Sequence, residues 1–288
     1  TNISSTVTYI NNLKLRKVKD KVETQVSGLP QNPKITNVSW SQNEKKIAFT
    51  NTTATGVELW VIDVATASAK KITDANLNAN LGNPFNWMKD NETLLVKMLP
   101  KNRPALIDSK KDLPKGPTVS TGDGKVSQNR TYQDLLKNPT DEANFDALVT
   151  SELYKVSLSG KIELFKPAAI YAGESFSPDG NYLMITTIHK PYSYIVPLSR
   201  FPQKSIVYDT NGKEVKVVNE VPLTEIMPKG FSSVRTGKRN MSWRSDKPAT
   251  LSYVVALDEG DQAKKVDYRD EVFSWDAPFS ATPISILK

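Results

Sequence analysis

The chain has 288 residues, 38% hydrophobic and 24% charged, with a net charge of +7. It contains no cysteine and one histidine, which excludes disulfides, thiolate metal sites and a cysteine nucleophile and leaves zinc poorly served. No apolar run approaches the roughly 18–20 residues that span a bilayer, and the basic residues are scattered, so neither a membrane span nor nucleic-acid binding is expected.

Residues 1–28 are polar and charged, without the apolar centre of a signal peptide. Within them, residues 7–10 and 22–26 alternate with period two and read as short strands. Residues 1–29 are therefore expected to be the trailing strands of a unit that begins upstream. Pro30 and Pro33 then punctuate the chain.

Four later stretches begin alike. They are Val38-Ser39-Trp40-Ser41-Gln42-Asn43, Phe85-Asn86-Trp87-Met88-Lys89-Asp90, Ser175-Phe176-Ser177-Pro178-Asp179-Gly180 and Met241-Ser242-Trp243-Arg244-Ser245-Asp246. Each puts an aromatic residue before a polar turn, and an apolar strand follows at 46–50, 93–98, 182–187 and 250–256. A unit repeated in this way cannot bury its own apolar face and must stack on its neighbours.

The first full unit spans 34–73, with strands at 35–40, 46–50, 57–63 and 70–73; four short antiparallel strands make one propeller blade. The second spans 85–166, and Trp87 follows Trp40 at a blade spacing of about 40–50 residues. It carries an insertion over about 101–151, far beyond ordinary loop length. Residues 101–131 read as loop and 132–136 and 141–149 as helices, the second capped by Thr140 with Asp141 and Glu142 in its first turn. The third unit spans 168–222 with an Asn211-Gly212 hairpin turn. The fourth spans 231–288 and stops in what reads as its last strand. The expected fold is an all-β, partial β-propeller: about four four-stranded antiparallel blades plus part of another, with a small helical insertion. Open end blades would expose apolar faces, so self-association through them is expected.

Chemistry is sparse. There is no G-x-S-x-G and no H-E-x-x-H. His189 reads as a loop or strand-end residue. The stretch from Ser233 to Arg239 resembles a phosphate loop but lacks its first glycine, so it reads as a basic turn. Asp258-Glu259-Gly260-Asp261 lacks the spacing of an EF-hand loop and reads as a solvated turn. The tryptophans and Phe176 read as core pegs. No cofactor or metal is expected.

Three segments carry a resemblance. The first is Thr131-Tyr132-Gln133-Asp134-Leu135-Leu136-Lys137 with Asp141-Glu142-Ala143-Asn144-Phe145-Asp146. The second is His189-Lys190-Pro191-Tyr192-Ser193-Tyr194-Ile195-Val196-Pro197 with Arg200-Phe201-Pro202. The third runs from Ser233-Val234-Arg235 through Asn240-Met241-Ser242-Trp243-Arg244 to Leu251. Together they are similar to glutamyl endopeptidases of the prolyl oligopeptidase family of serine peptidases, in register over about 34–279, and look nearer to bacterial than to plant chloroplast members.

The resemblance implies a propeller lying over an α/β-hydrolase domain that follows in the parent chain and holds the serine, aspartate and histidine. This chain alone is then not an enzyme. Its implied role is to cap the active site and to gate or orient peptide substrates. The substrate-facing candidates are His189, Lys190, Tyr192, Arg200, Arg235, Lys238 and Arg239; the lysines and arginines among them are the candidates for the cation that a buried substrate carboxylate needs. Lys190 stands where the plant-like motif has arginine, and lysine lacks the bidentate fork. An exported bacterial protein, periplasmic or secreted, is expected. The competing reading is a free-standing propeller that binds a protein partner.

Overall fold

The computed structural model describes residues 8–108 and 132–288. These fall into two compact units, 1–104 with 147–171 and 105–146 with 172–288.

In the first unit, β1 (Lys14–Arg16) and β2 (Glu23–Gln25) pair as an antiparallel hairpin. Of the strand expected at 7–10, Val7 lies outside the described residues and Ile10 makes a single bridge to Ile35. Next comes a four-stranded antiparallel meander of β3 (Ile35–Trp40), β4 (Lys46–Thr52), β5 (Val57–Asp63) and β6 (Ser68–Lys71). A second meander starts with β7 (Phe85–Trp87), β8 (Thr93–Met98) and β9 (Ser151–Ser157), and β9 pairs with the first part of β10 (Ile162–Phe176).

Strand β4 is buried on both faces, which is why Ile47, Ala48 and Phe49 are apolar in succession rather than alternating with polar residues. Ala48 packs with Val57, Leu59 and Val61 of β5 against Phe85, Trp87, Leu94 and Val96 of the second meander. Ile47 and Phe49 point the other way, into a cluster with Val26 and Ile35 that Leu13 and Leu15 of the N-terminal segment cover.

In the second unit, the end of β10 neighbours β11 (Tyr182–Ile188), followed by β12 (Gln203–Asp209) and β13 (Glu214–Val221). The β12–β13 turn is the expected Asn211-Gly212 hairpin. Asp209 accepts the main-chain N–H groups of Asn211 and Lys213, and Gly212 takes a positive φ of 86°. The last meander is β14 (Arg239–Trp243), β15 (Thr250–Ala256), β16 (Asp270–Asp276) and β17 (Ile284–Leu287). Met184, Val207 and Val218 pack against Leu251, Tyr253, Trp275 and Phe279 in one core. The meanders are the blades of a β-propeller architecture.

The repeated polar turn has a common chemistry in two blades. Buried Ser41 donates from its hydroxyl to Asn43 and accepts from the N–H of Lys46. Ser177 does the same with Asp179 and Tyr182. The repeated aromatic residue has a different use. The Trp87 indole donates to the Ser39 carbonyl of the preceding blade at 3.2 Å, and Trp243 donates to Ser175 at 2.9 Å. Trp40, expected as a core peg, is instead 52% exposed.

The insertion holds one helix, α1 (Pro139–Val149). Residues 132–136, expected to be helical, are irregular with a bend at 133–134, and most of the loop expected at 101–131 lies outside the described residues. The N-cap of α1 is Asn138, not Thr140. Its side-chain oxygen accepts the Asp141 N–H at 2.9 Å, and Pro139 occupies the first helical position, where a missing N–H costs nothing. Asp141 reaches back to the N–H of Lys137. The turn at Asp258 also departs from expectation. Asp258 is buried, accepting from Gly260 N–H and from the Arg269 guanidinium at 2.8 Å each.

Candidate functional site

The seven candidate residues all lie in the second unit, but the structure sorts them into four environments. His189 is exposed at the end of β11, with Nδ1 2.9 Å from the Lys190 carbonyl and its main-chain N–H on Pro202.

Lys190 and Tyr192 belong to a cluster on α1. The Lys190 ammonium lies 3.0 Å from Asp146 and 3.9 Å from Glu142, and 5.4 Å from the centre of the Tyr192 ring. The hydrogen bond to Asp146 raises the Lys190 pKa. Tyr192 donates its hydroxyl to the same carboxylate, while its ring stacks on Phe201 at 5.2 Å and meets Phe145 edge-on. Burial first, then Asp146, pushes the Tyr192 phenol upward. Tyr194 is pushed up to about 12, by desolvation and then by Glu142. The cation at Lys190 is therefore already matched by two carboxylates, and the aromatic stack fixes α1 to the segment after β11.

Lys238 turns inward. Its ammonium donates to the Val218 carbonyl at 2.9 Å and sits over the rings of Trp275, at 4.5 Å, and Tyr253, at 5.1 Å. Burial, and then Lys216, lowers its pKa. It is part of the packing between β13 and the last meander.

The other three candidates converge. Arg200, Arg235 and Arg239 line one open cleft of about 330 Å³ with Ser199, Thr224, Ser233 and Asn240. Arg200 ends a 3-10 turn (Leu198–Arg200) in the β11–β12 connection and lies over the Tyr132 ring at 5.4 Å. Its carbonyl accepts the Thr224 N–H, which ties that connection to the one after β13. Arg235 and Arg239 come from the approach to β14 and its first residue. Arg235 donates to the carbonyls of Thr236 and Lys238, which fold the guanidinium back over its own turn. Arg239 pairs with Asp270 on β16. Burial, and then the charge of Arg239, lowers the Arg235 pKa. A buried cation beside a like charge is costly, and no acidic side chain lines the cleft.

Ser199 and Thr224 were not identified from the sequence because they sit in connections without periodicity, and Asn240, at the start of β14, carries no signal that separates it from other strand residues. Nor were Asp146 and Glu142 identified as partners of Lys190, although the i, i+4 spacing puts both on one face of α1. Among the described residues no group of three or more His, Cys, Asp or Glu could hold a metal, and no helix is long and apolar enough to cross a membrane.

No family model matches the chain. Over 286 residues it is 37% identical to a rice protein named "Probable glutamyl endopeptidase, chloroplastic", covering 94% of this chain and 30% of the relative. An Arabidopsis thaliana protein of the same name is 38% identical over 260 residues, covering 87% of this chain and 27% of the relative. The chain thus spans under a third of the curated relatives it matches. Both relatives are plant proteins, so the expected bacterial affiliation draws no support from them. Similar solved structures include the β-propeller domain of the trilobed protease from Pyrococcus furiosus, at 13% identity and TM-score 0.44, covering 95% of this chain and 61% of that one. Pyrococcus horikoshii acylaminoacyl peptidase gives 13% and 0.46, covering 95% of this chain and 34% of that one.

Proposed function

We propose that this chain is the non-catalytic propeller portion of a serine peptidase, which caps the hydrolase active site and gates or orients peptide substrates. One observation carries the reading: about 37% identity, across 94% of the chain, to a protein named as a glutamyl endopeptidase, of which this chain corresponds to 30%. The chain's own chemistry fits that division of labour, since it has one histidine and no G-x-S-x-G from which to build a nucleophile, base and acid. In this reading the partner is an α/β-hydrolase domain of the same parent chain, and the substrates are peptides with an acidic residue, as the relatives' name suggests.

The test is turnover. The purified 288-residue chain is expected to leave peptide substrates uncut. A parent protein that includes the hydrolase domain is expected to cleave them and to lose activity on Ser→Ala at its nucleophile. Cleavage by the 288-residue chain itself overturns the proposal, as does an inactive parent.

A further inference from the structure

We infer that the cleft of Arg200, Arg235 and Arg239, and not Lys190, holds the carboxylate of an acidic side chain in a bound peptide. The inference rests on the peptidase reading for the peptide, but the anion site stands on geometry alone.

Three observations lead to it. First, the three arginines line one cleft with small polar residues, Met227 and Val234, and no carboxylate residue is among the lining. Asp270 offsets one of the three charges, leaving an excess of two. Second, the groups are held before any ligand arrives. Arg235 is fixed by two carbonyls of its own turn, Arg239 by Asp270, and Arg200 by the Tyr132 ring. A guanidinium held in place loses less freedom on binding and can present a planar fork to a carboxylate. Third, the competing cation is already occupied. Lys190 is matched by Asp146 and Glu142, and an incoming carboxylate would have to displace one of them.

The chain beside the cleft favours a peptide over a bare anion. Ile226 immediately precedes the lining residue Met227, and Phe231 lies two residues before Ser233; they are 74% and 94% exposed. Exposed apolar side chains at these two positions, next to lining residues in the chain, suit a peptide that carries an apolar residue beside its acidic one.

The experiment is calorimetric titration of the 288-residue chain with two blocked tetrapeptides, Ac-Ala-Phe-Glu-Ala-amide and its Gln counterpart, and with inorganic phosphate. The Glu peptide is expected to bind about tenfold more tightly than the Gln peptide, as for loss of one charge-assisted contact. Arg200→Gln and Arg235→Gln should each erase that ratio, while Lys190→Met keeps it. Circular dichroism checks that each variant is folded, and the Glu/Gln comparison on the unaltered chain needs no variant. Equal affinity for the two peptides, a ratio that survives both arginine substitutions, or loss of the ratio in Lys190→Met overturns the inference. Phosphate binding more tightly than the Glu peptide overturns the peptide assignment in favour of a general oxyanion site. These results are independent of turnover by the parent, so failure of the cleft and failure of the peptidase reading are distinguishable.

Discussion

Trp40 and Trp87 occupy the same place in the repeat but should differ sharply when replaced by phenylalanine. Trp87 is 8% exposed, packs with Ala48, Leu59 and Leu94, and donates its indole N–H to Ser39 of the preceding blade. Phenylalanine keeps the ring contact but removes the donor and roughly three heavy atoms. At about 0.8 kcal/mol per buried carbon the lost packing comes to about 2 kcal/mol, and the lost hydrogen bond adds about 1 kcal/mol. Trp87→Phe is therefore expected to cost about 3 kcal/mol. Trp40 is 52% exposed, so the same change there should cost about 0.5 kcal/mol or less. Trp243, half-buried with its indole on Ser175, should fall between them. The assay is urea unfolding followed by far-ultraviolet circular dichroism, since fluorescence would itself change with each tryptophan. Equal costs at positions 40 and 87 would refute the claim that the repeated aromatic acts by stitching a blade to the one before it.

Other expectations follow from the same structure. Lys46 lies 2.5 Å from Asp63, and that hydrogen bond, with the Thr66 N–H, holds the Asp63 carboxyl at about 2 against an ordinary 3.8. A depressed folded pKa stabilises above the unfolded value and is lost as pH falls through the folded one. The contribution should thus be full above about pH 4 and fade towards pH 2. Because Asp63 is a third exposed, solvent screening reduces it to about 1 kcal/mol, and Lys46→Ala should flatten that part of the pH profile of the urea midpoint. Lys238→Met should cost about 1 kcal/mol through the Val218 carbonyl and the two rings, yet leave the Glu/Gln peptide ratio unchanged in the calorimeter. Gly260→Ala should destabilise by about 2–3 kcal/mol in the same unfolding assay. Its φ is +80°, and an added Cβ would fall 1.9 Å from the Val234 carbonyl oxygen. Since Val234 lines the cleft, peptide affinity should fall with it.

The parts of the fold that were legible in the sequence are those where local rules and tertiary packing agree. The strands after each aromatic–turn motif are apolar runs because both of their faces are covered, as at β4. The Asn211-Gly212 turn was legible because its backbone demands glycine. Where local propensity competes with context, the reading failed. Residues 132–136 have helical composition but are irregular, and their Tyr132 ring lies under Arg200 instead. Thr140 is a good cap residue, but Asn138 followed by Pro139 is a better start, and the chain uses it. Trp40 shares its motif with Trp87, yet no local feature of either says which one has a blade packed against it.

The candidate site was legible only as a set of cations. Arg200 is 35 positions before Arg235 in the chain, and it takes tertiary hydrogen bonds, from the Thr224 N–H to the Arg200 carbonyl and from the Ser193 hydroxyl to Glu225, to bring the two connections together. Within Arg235, Lys238 and Arg239, which side chain faces the cleft and which faces the core depends on how the chain enters β14, and composition carries none of that. The contrast between the clusters then bears on function. At Lys190 the cation is matched within the fold by Asp146 and Glu142, as expected of charges that serve to dock α1. At the cleft, three arginines line one opening and, among the described residues, only Arg239 has a carboxylate partner, Asp270, while burial and then the charge of Arg239 lower the Arg235 pKa. An arrangement that served stability alone would gain from a second carboxylate there. Its lack among the cleft-lining residues is the reason for seeking the missing negative charge in a ligand.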